Sequence, residues 1–220
     1  VANGHGAWEA AIANMFERGD VVLVLSTGQF GLGWAEVCNK MGIKPVVIDF
    51  GFESSVDYNK LESVLLDDTD NMIKAVLVVQ ADTSTSVLND LQMIKQTIEM
   101  CKHPALFMVD SIACFGCDRM EMDEWGIDVM VTACQKGLMT PPGISYCFVS
   151  KKALLLSKDT DCVSPYWDWK PRINPKVFYE RFFGTAPTNH IFGQRAALDL
   201  MIEEGRENIF RRHEVLATSV

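Results

Sequence analysis

TACQKGLMTPPGISYCFVS, Thr132 to Ser150, is the stretch whose reading decides the fold. Its apolar approach, DVMVTAC (Asp128 to Cys134), predicts a buried strand. Gln135 and Lys136 follow at the strand's end. The breaker cluster Thr140-Pro141-Pro142-Gly143 then turns the chain back, and a second apolar strand, ISYCFVS (Ile144 to Ser150), follows at once. A lysine at the exit of a buried parallel strand stands where open α/β sheets place ligands. Burial there is expected to favour its neutral, nucleophilic form.

A second strand exit gives Lys136 a partner. ALFMVDS (Ala105 to Ser111) is an apolar run carrying Asp110 at its carboxyl end. A carboxylate in that position is costly unless it meets a cation or a donor. An acid and a lysine on two strand exits of one sheet suit a pyridoxal phosphate site. There a lysine forms a Schiff base with the cofactor aldehyde, and an acid keeps the pyridine nitrogen protonated.

Working outward, the runs VVLVL after Asp20, Pro45 to Phe50 and Ala75 to Val79 are further strands. The stretches Ala7 to Phe16, Gly33 to Met41, Tyr58 to Leu66 and a segment ending near Cys101 are helices. Strand and helix alternate through Ser150. This predicts an α/β fold of three layers, a mostly parallel sheet covered by helices on both faces. Three loops at strand or helix ends attract notice. Asn3-Gly4-His5-Gly6 opens a helix, as a plain N-terminal cap or as a turn that offers backbone N–H groups to a phosphate. Ser26 to Gly31 places Phe30 in a glycine-flanked loop, as a core plug or a platform for a flat ring. Gln80 to Ser86 is dense in hydroxyls, with Asn89 or Asp90 starting the next helix. Beyond Ser150 the alternation breaks. Ser157 to Pro175 reads as an aromatic loop containing Tyr166-Trp167-Asp168-Trp169, and a long helix starts near Ile191.

Composition removes several function classes. The net charge is -9 over 220 residues, with no block of like charge, so no nucleic-acid or basic membrane surface is expected. No apolar run reaches a membrane span, and the first residues lack the pattern of a signal peptide. Seven cysteines scattered through apolar segments suit a reducing, intracellular compartment, cytoplasmic or organellar. The one CxxC, Cys114 to Cys117, lacks a second CxxC or a histidine pair, and it reads as structural. No metal site is expected. The chain opens on a glycine turn with no strand before it and ends inside an unfinished helical pattern, so it reads as the middle of a longer protein.

Taken together, GAWEAA, TGQFGLGW, TSTSVLND, HPALFMVDSI, DEWGIDVMVTACQKGLMTPPG, YWDW, GTAPTN and GQRAALDLMIEEG resemble the class V, fold type I PLP-dependent aminotransferases. Within them, the serine–glyoxylate and alanine–glyoxylate group is the nearest. The resemblance implies that residues 1–220 form most of a large cofactor domain, with an N-terminal segment and a C-terminal small domain outside it. It implies transfer of an amino group from serine or alanine to glyoxylate or a similar 2-oxo acid by a homodimer. Lys136 then resembles the Schiff-base lysine and proton shuttle, and Asp110 the acid on the pyridine nitrogen. Phe30 resembles the ring stacked on the cofactor, with Ile112 on the opposite face. Gly4, His5, Gly6, Thr83 and Gln135 fall at phosphate- or ring-contacting positions. Thr185 falls where the family reaches into the neighbouring subunit's site.

The departures are Gln80-Ala81-Asp82 for the family's His-Asn-Glu or His-Gly-Glu, Ser86 for a glycine, Cys134 for a frequent serine, and Phe182 for a tyrosine in some relatives. Other donors (2-aminoethylphosphonate, ureidoglycine, pyridoxamine) stay open. So do a cysteine desulfurase or lyase of the same fold and an inactive α/β binding or assembly protein.

Overall fold

A computed structural model describes residues 1–157, 160–161 and 164–219. Residues 158–159 and 162–163 of the aromatic loop, and residue 220, lie outside the described residues. The strands are β1 (Val21–Ser26), β2 (Lys44–Asp49), β3 (Ile73–Val79), β4 (Ala81–Asp82), β5 (Val87–Leu88), β6 (Leu106–Asp110), β7 (Val129–Ala133) and β8 (Ser145–Val149). The helices are α1 (Gly4–Met15), α2 (Gln29–Lys40), α3 (Tyr58–Asp67), α4 (Leu91–Met100), α5 (Lys151–Leu156), α6 (Lys170–Ile173), α7 (Thr188–Glu204) and α8 (Arg206–Thr218).

Six strands form one sheet in the order β2-β1-β3-β6-β7-β8. The first five run parallel, and β8 returns antiparallel to β7 through the Pro141-Pro142-Gly143 turn. Side chains alternate between the faces of a strand, and the apolar runs fill both. Val22, Val24, Ala75, Leu77, Met108 and Val131 face one core, which α1 and α2 cover with Trp8, Ile12, Trp34 and Cys38. Leu23, Leu25, Val76, Val78, Phe107 and Val109 face the other, covered by Leu61 and Leu65 of α3 and Ile94 and Ile98 of α4. The three-layer architecture expected from the alternation is the one observed.

The helix starts are set by capping side chains. Asn3 accepts from the Gly6 N–H at 3.4 Å and starts α1 three residues earlier than its alanine-rich pattern suggests. Asp57 caps α3, and Asp90 caps α4 by accepting from Gln92 and Met93 at 3.0 Å each. Asn89 does not cap; it donates instead to Thr27 Oγ1 and Val79 O.

Three readings are corrected. The hydroxyl loop is a small antiparallel hairpin, β4 with β5, in which Ser86 holds a left-handed φ of 62°. Helix α2 starts at Gln29, so Phe30 lies in its first turn and not in a loop. The aromatic stretch contains α6 and is pinned to α1 by Asn14. That side chain donates to Trp167 O at 2.7 Å and accepts from Trp169 N at 3.0 Å.

Candidate active site

Four neighbouring strands, β1, β3, β6 and β7, present their carboxyl ends at one edge of the sheet. Residues following them line a cavity of about 300 Å³, and the amino end of α1 closes its side. The cavity gathers Gly4 and His5 from α1, Phe30 after β1, Thr83 after β3, Asp110 and Ile112 after β6, and Gln135 and Lys136 after β7. These are eight of the ten residues singled out from the sequence.

The other two lie elsewhere. Gly6 lines a separate, larger cavity of about 750 Å³, where an added Cβ would meet Ala2 and Trp167. Its lack of a side chain serves packing against Ala2 and Trp167. Thr185 is exposed in the segment before α7, away from the cavity.

Asp110 is the most constrained group. It is 3% exposed, Trp8 Nε1 donates to its Oδ2 at 2.7 Å, and the Ile112 N–H donates to its Oδ1 at 2.7 Å. Burial pushes its carboxyl up to about 7, with nearby Asp82 pushing the same way; the two donors and Lys136 pull it down. The site thus holds an acid poised to change its charge near neutrality. Lys136 itself is exposed at the mouth of the cavity. It is not the buried residue expected from the sequence, because β7 ends at Ala133 and the lysine stands three residues further on, in a turn.

That turn is tightly built. Met139 N–H donates to Lys136 O at 2.9 Å, and Thr140 closes back on Cys134 O. Cys134 acts as a donor, with its thiol 3.0 Å from Pro141 O. Gly137 lets the CxxC turn lie against the backbone beside Lys136, since a Cβ there would strike Phe115 O and Cys117 Sγ. Both CxxC thiols are free, and burial pushes Cys114 up to about 12, so the motif packs the site as a pair of protonated thiols.

Sequence reasoning missed two buried side chains that hold the site in place, Asp82 and Trp8. Asp82 is fully buried and caps α2 from another segment. Its Oδ2 accepts from the Phe30 and Gly31 N–H groups at 2.8 and 3.1 Å. Its Oδ1 accepts from the Ser84 hydroxyl at 2.6 Å. Trp8, 1% exposed, stacks on Trp34 at 5.7 Å and lies 4.6 Å from the His5 ring. One signal was present: a buried tryptophan usually finds a partner for its N–H, as Trp8 does and Trp34 does not among the described residues.

The sequence model of the family described as Aminotransferase class-V matches residues 3–220. The chain belongs to the class-V aminotransferases. Similar class-V proteins include a serine–glyoxylate aminotransferase of Hyphomicrobium methylovorum, 36% identical over all of this chain and 54% of the relative. A serine–glyoxylate aminotransferase of Arabidopsis thaliana is 34% identical over 96% of this chain and 52% of its own. Among solved structures, an alanine–glyoxylate aminotransferase from Nostoc sp. superposes with a TM-score of 0.86 at 28% identity, over 96% of this chain and 55% of that one. The chain spans about half the length of these relatives. Among the described residues, no helix of this class-V aminotransferase is long and apolar enough to cross a membrane.

Proposed function

We propose that residues 1–220 form the cofactor-binding part of a pyridoxal phosphate-dependent transaminase. It moves an amino group from a small amino acid, serine or alanine, to glyoxylate or a similar 2-oxo acid. One observation carries this reading: a buried acid poised near neutrality and a lysine face one cavity together with the amino end of a helix.

The residues present fit the cofactor. A Cβ at position 4 would collide with the Ile112 side chain, so Gly4 lets Ile112 pack against the start of α1, and both residues line the cavity. Gln135 Oε1 is buried with no hydrogen-bond partner among the described residues, which suits a ligand that brings a donor. When bound, pyridoxal phosphate supplies a reactive aldehyde and a protonatable ring that acts as an electron sink. The free N–H groups at the start of α1, with the Thr83 hydroxyl at the rim, would hold the phosphate without a dedicated basic residue. Phe30 and Ile112 would hold the ring from its two faces. Asp110, ionised beside a cationic partner, would accept the N–H of the ring nitrogen and so keep the proton on that nitrogen. Lys136 Nζ would provide the amine for the aldehyde and move the proton of the substrate's α-carbon as base and then acid.

Thr185, exposed and outside its own cavity, would serve the cavity of a second copy, so the working unit is a homodimer. Visible absorption of the protein with added cofactor tests this function. A band that bleaches with L-serine or L-alanine and returns with glyoxylate supports it. A band indifferent to all three refutes these substrates.

A further inference from the structure

We propose that Trp8 is a positioning residue for the reaction: its indole N–H, 2.7 Å from Asp110 Oδ2, fixes the plane of the Asp110 carboxyl group. The proposal rests on the reading of Asp110 as the acid that serves the ring nitrogen.

Three observations carry it. Asp110 receives one donor on each oxygen, from Trp8 and from the Ile112 N–H, and each carboxylate oxygen has two acceptor positions. The carboxyl is therefore held in one orientation with an acceptor site still unused on each oxygen. Second, the indole cannot drift. It is 1% exposed, stacked nearly parallel on Trp34 at an interplanar angle of 12°, and flanked by the His5 ring.

Third, Trp8 lies one helical turn after Gly4, and residues four apart share a face of a helix. The same helix thus offers its open N–H groups at one end of the cavity and grips the acid one turn later. Helix α1 sets the distance between the two through its rigid backbone, independently of the loops around them.

Trp8 also acts on the charge of Asp110. A donor to the ionised form favours that form. Among the described residues, the other charged or titratable groups around the carboxyl are Asp82, which opposes its ionisation, Lys136, which assists it, Cys114, whose buried thiol its charge helps keep protonated, and His5, whose ring packs on Trp8. Removing the indole N–H while keeping an aromatic ring in the stack isolates Trp8's contribution.

The test is Trp8→Phe in the full-length, cofactor-free protein, read by carbon NMR of the Asp110 carboxyl carbon across a pH titration, with Asp110→Asn identifying the resonance. The titration midpoint is expected to rise by roughly one to two pH units, the range of one hydrogen bond to a charged group. A midpoint that stays put while thermal stability falls would reduce Trp8 to a packing residue and overturn the proposal. If the variant does not fold, the wild type decides. The Trp8 indole proton resonance must shift with the same midpoint as the Asp110 carbon, and a flat indole resonance refutes the contact. Neither readout uses the cofactor. A failure of cofactor attachment would therefore refute the proposed function and leave this result standing.

Discussion

Replacing Asp110 by asparagine in the cofactor-free protein turns the burial of this acid into a measurable pH dependence. Burial pushes the folded-state carboxyl up to about 7, whereas an unfolded aspartate titrates near 3.9. Between those values the folded protein holds a proton that the unfolded chain has released. Stability therefore falls as pH rises through this window and levels off above it. From pH 5 to pH 8 the acid crosses about two units of the window. At 1.36 kcal/mol per unit this corresponds to a loss of ~3 kcal/mol. Asparagine cannot titrate, and its mismatch with the Trp8 and Ile112 donors adds an offset independent of pH. The quantity to compare is thus the change with pH, from urea unfolding followed by circular dichroism at pH 5, 6, 7 and 8. Wild type should lose ~3 kcal/mol relative to Asp110→Asn across that range. A constant difference between the two proteins would mean that Asp110 is already ionised at pH 5, and the picture of a poised acid would fail.

Three further substitutions probe the frame of the site. Asp82→Ala strips the cap from α2 and orphans the Phe30, Gly31 and Ser84 donors; a loss of ~2–4 kcal/mol in urea unfolding is expected, with weaker cofactor binding as Phe30 loosens. Gly4→Ala drives a methyl group into Ile112. The end of the Ile112 side chain can turn aside at a cost of ~1 kcal/mol, and because Ile112 also lines the cavity, cofactor titration should show about tenfold weaker affinity. Ser86 occupies a left-handed conformation that favours glycine. Ser86→Gly should therefore stabilise the protein by ~1 kcal/mol, seen as a higher melting temperature with cofactor affinity unchanged.

The sheet was legible because each parallel strand is an apolar run, and period-two alternation with both faces buried leaves little else for such runs to do. Asp110 and Lys136 were legible for a related reason: a charged residue closing an apolar run stands out against its neighbours. Phe30 was located but placed in a loop. Glycines at 28, 31 and 33 hide the helical pattern, and the carboxylate that caps the helix, Asp82, arrives from 52 residues away. Trp8 was hidden by the same kind of distance, since its partner lies 102 residues along the chain. Gly6 is the opposite case. It belongs to a glycine-rich turn at the right helix, yet it faces Trp167 in the neighbouring cavity. Short elements held by side chains from elsewhere, such as α6 and the aromatic stretch tied to Asn14, carry no periodicity of their own.

Trapping the cofactor on the chain tests the central claim most directly. The protein is incubated with pyridoxal phosphate, reduced with borohydride, digested and mapped by mass spectrometry, alongside Lys136→Ala. A single adduct on Lys136, absent from the variant, is the expected result. An adduct spread over surface lysines, or one that survives in Lys136→Ala, would contradict the assignment of this cavity as the catalytic site.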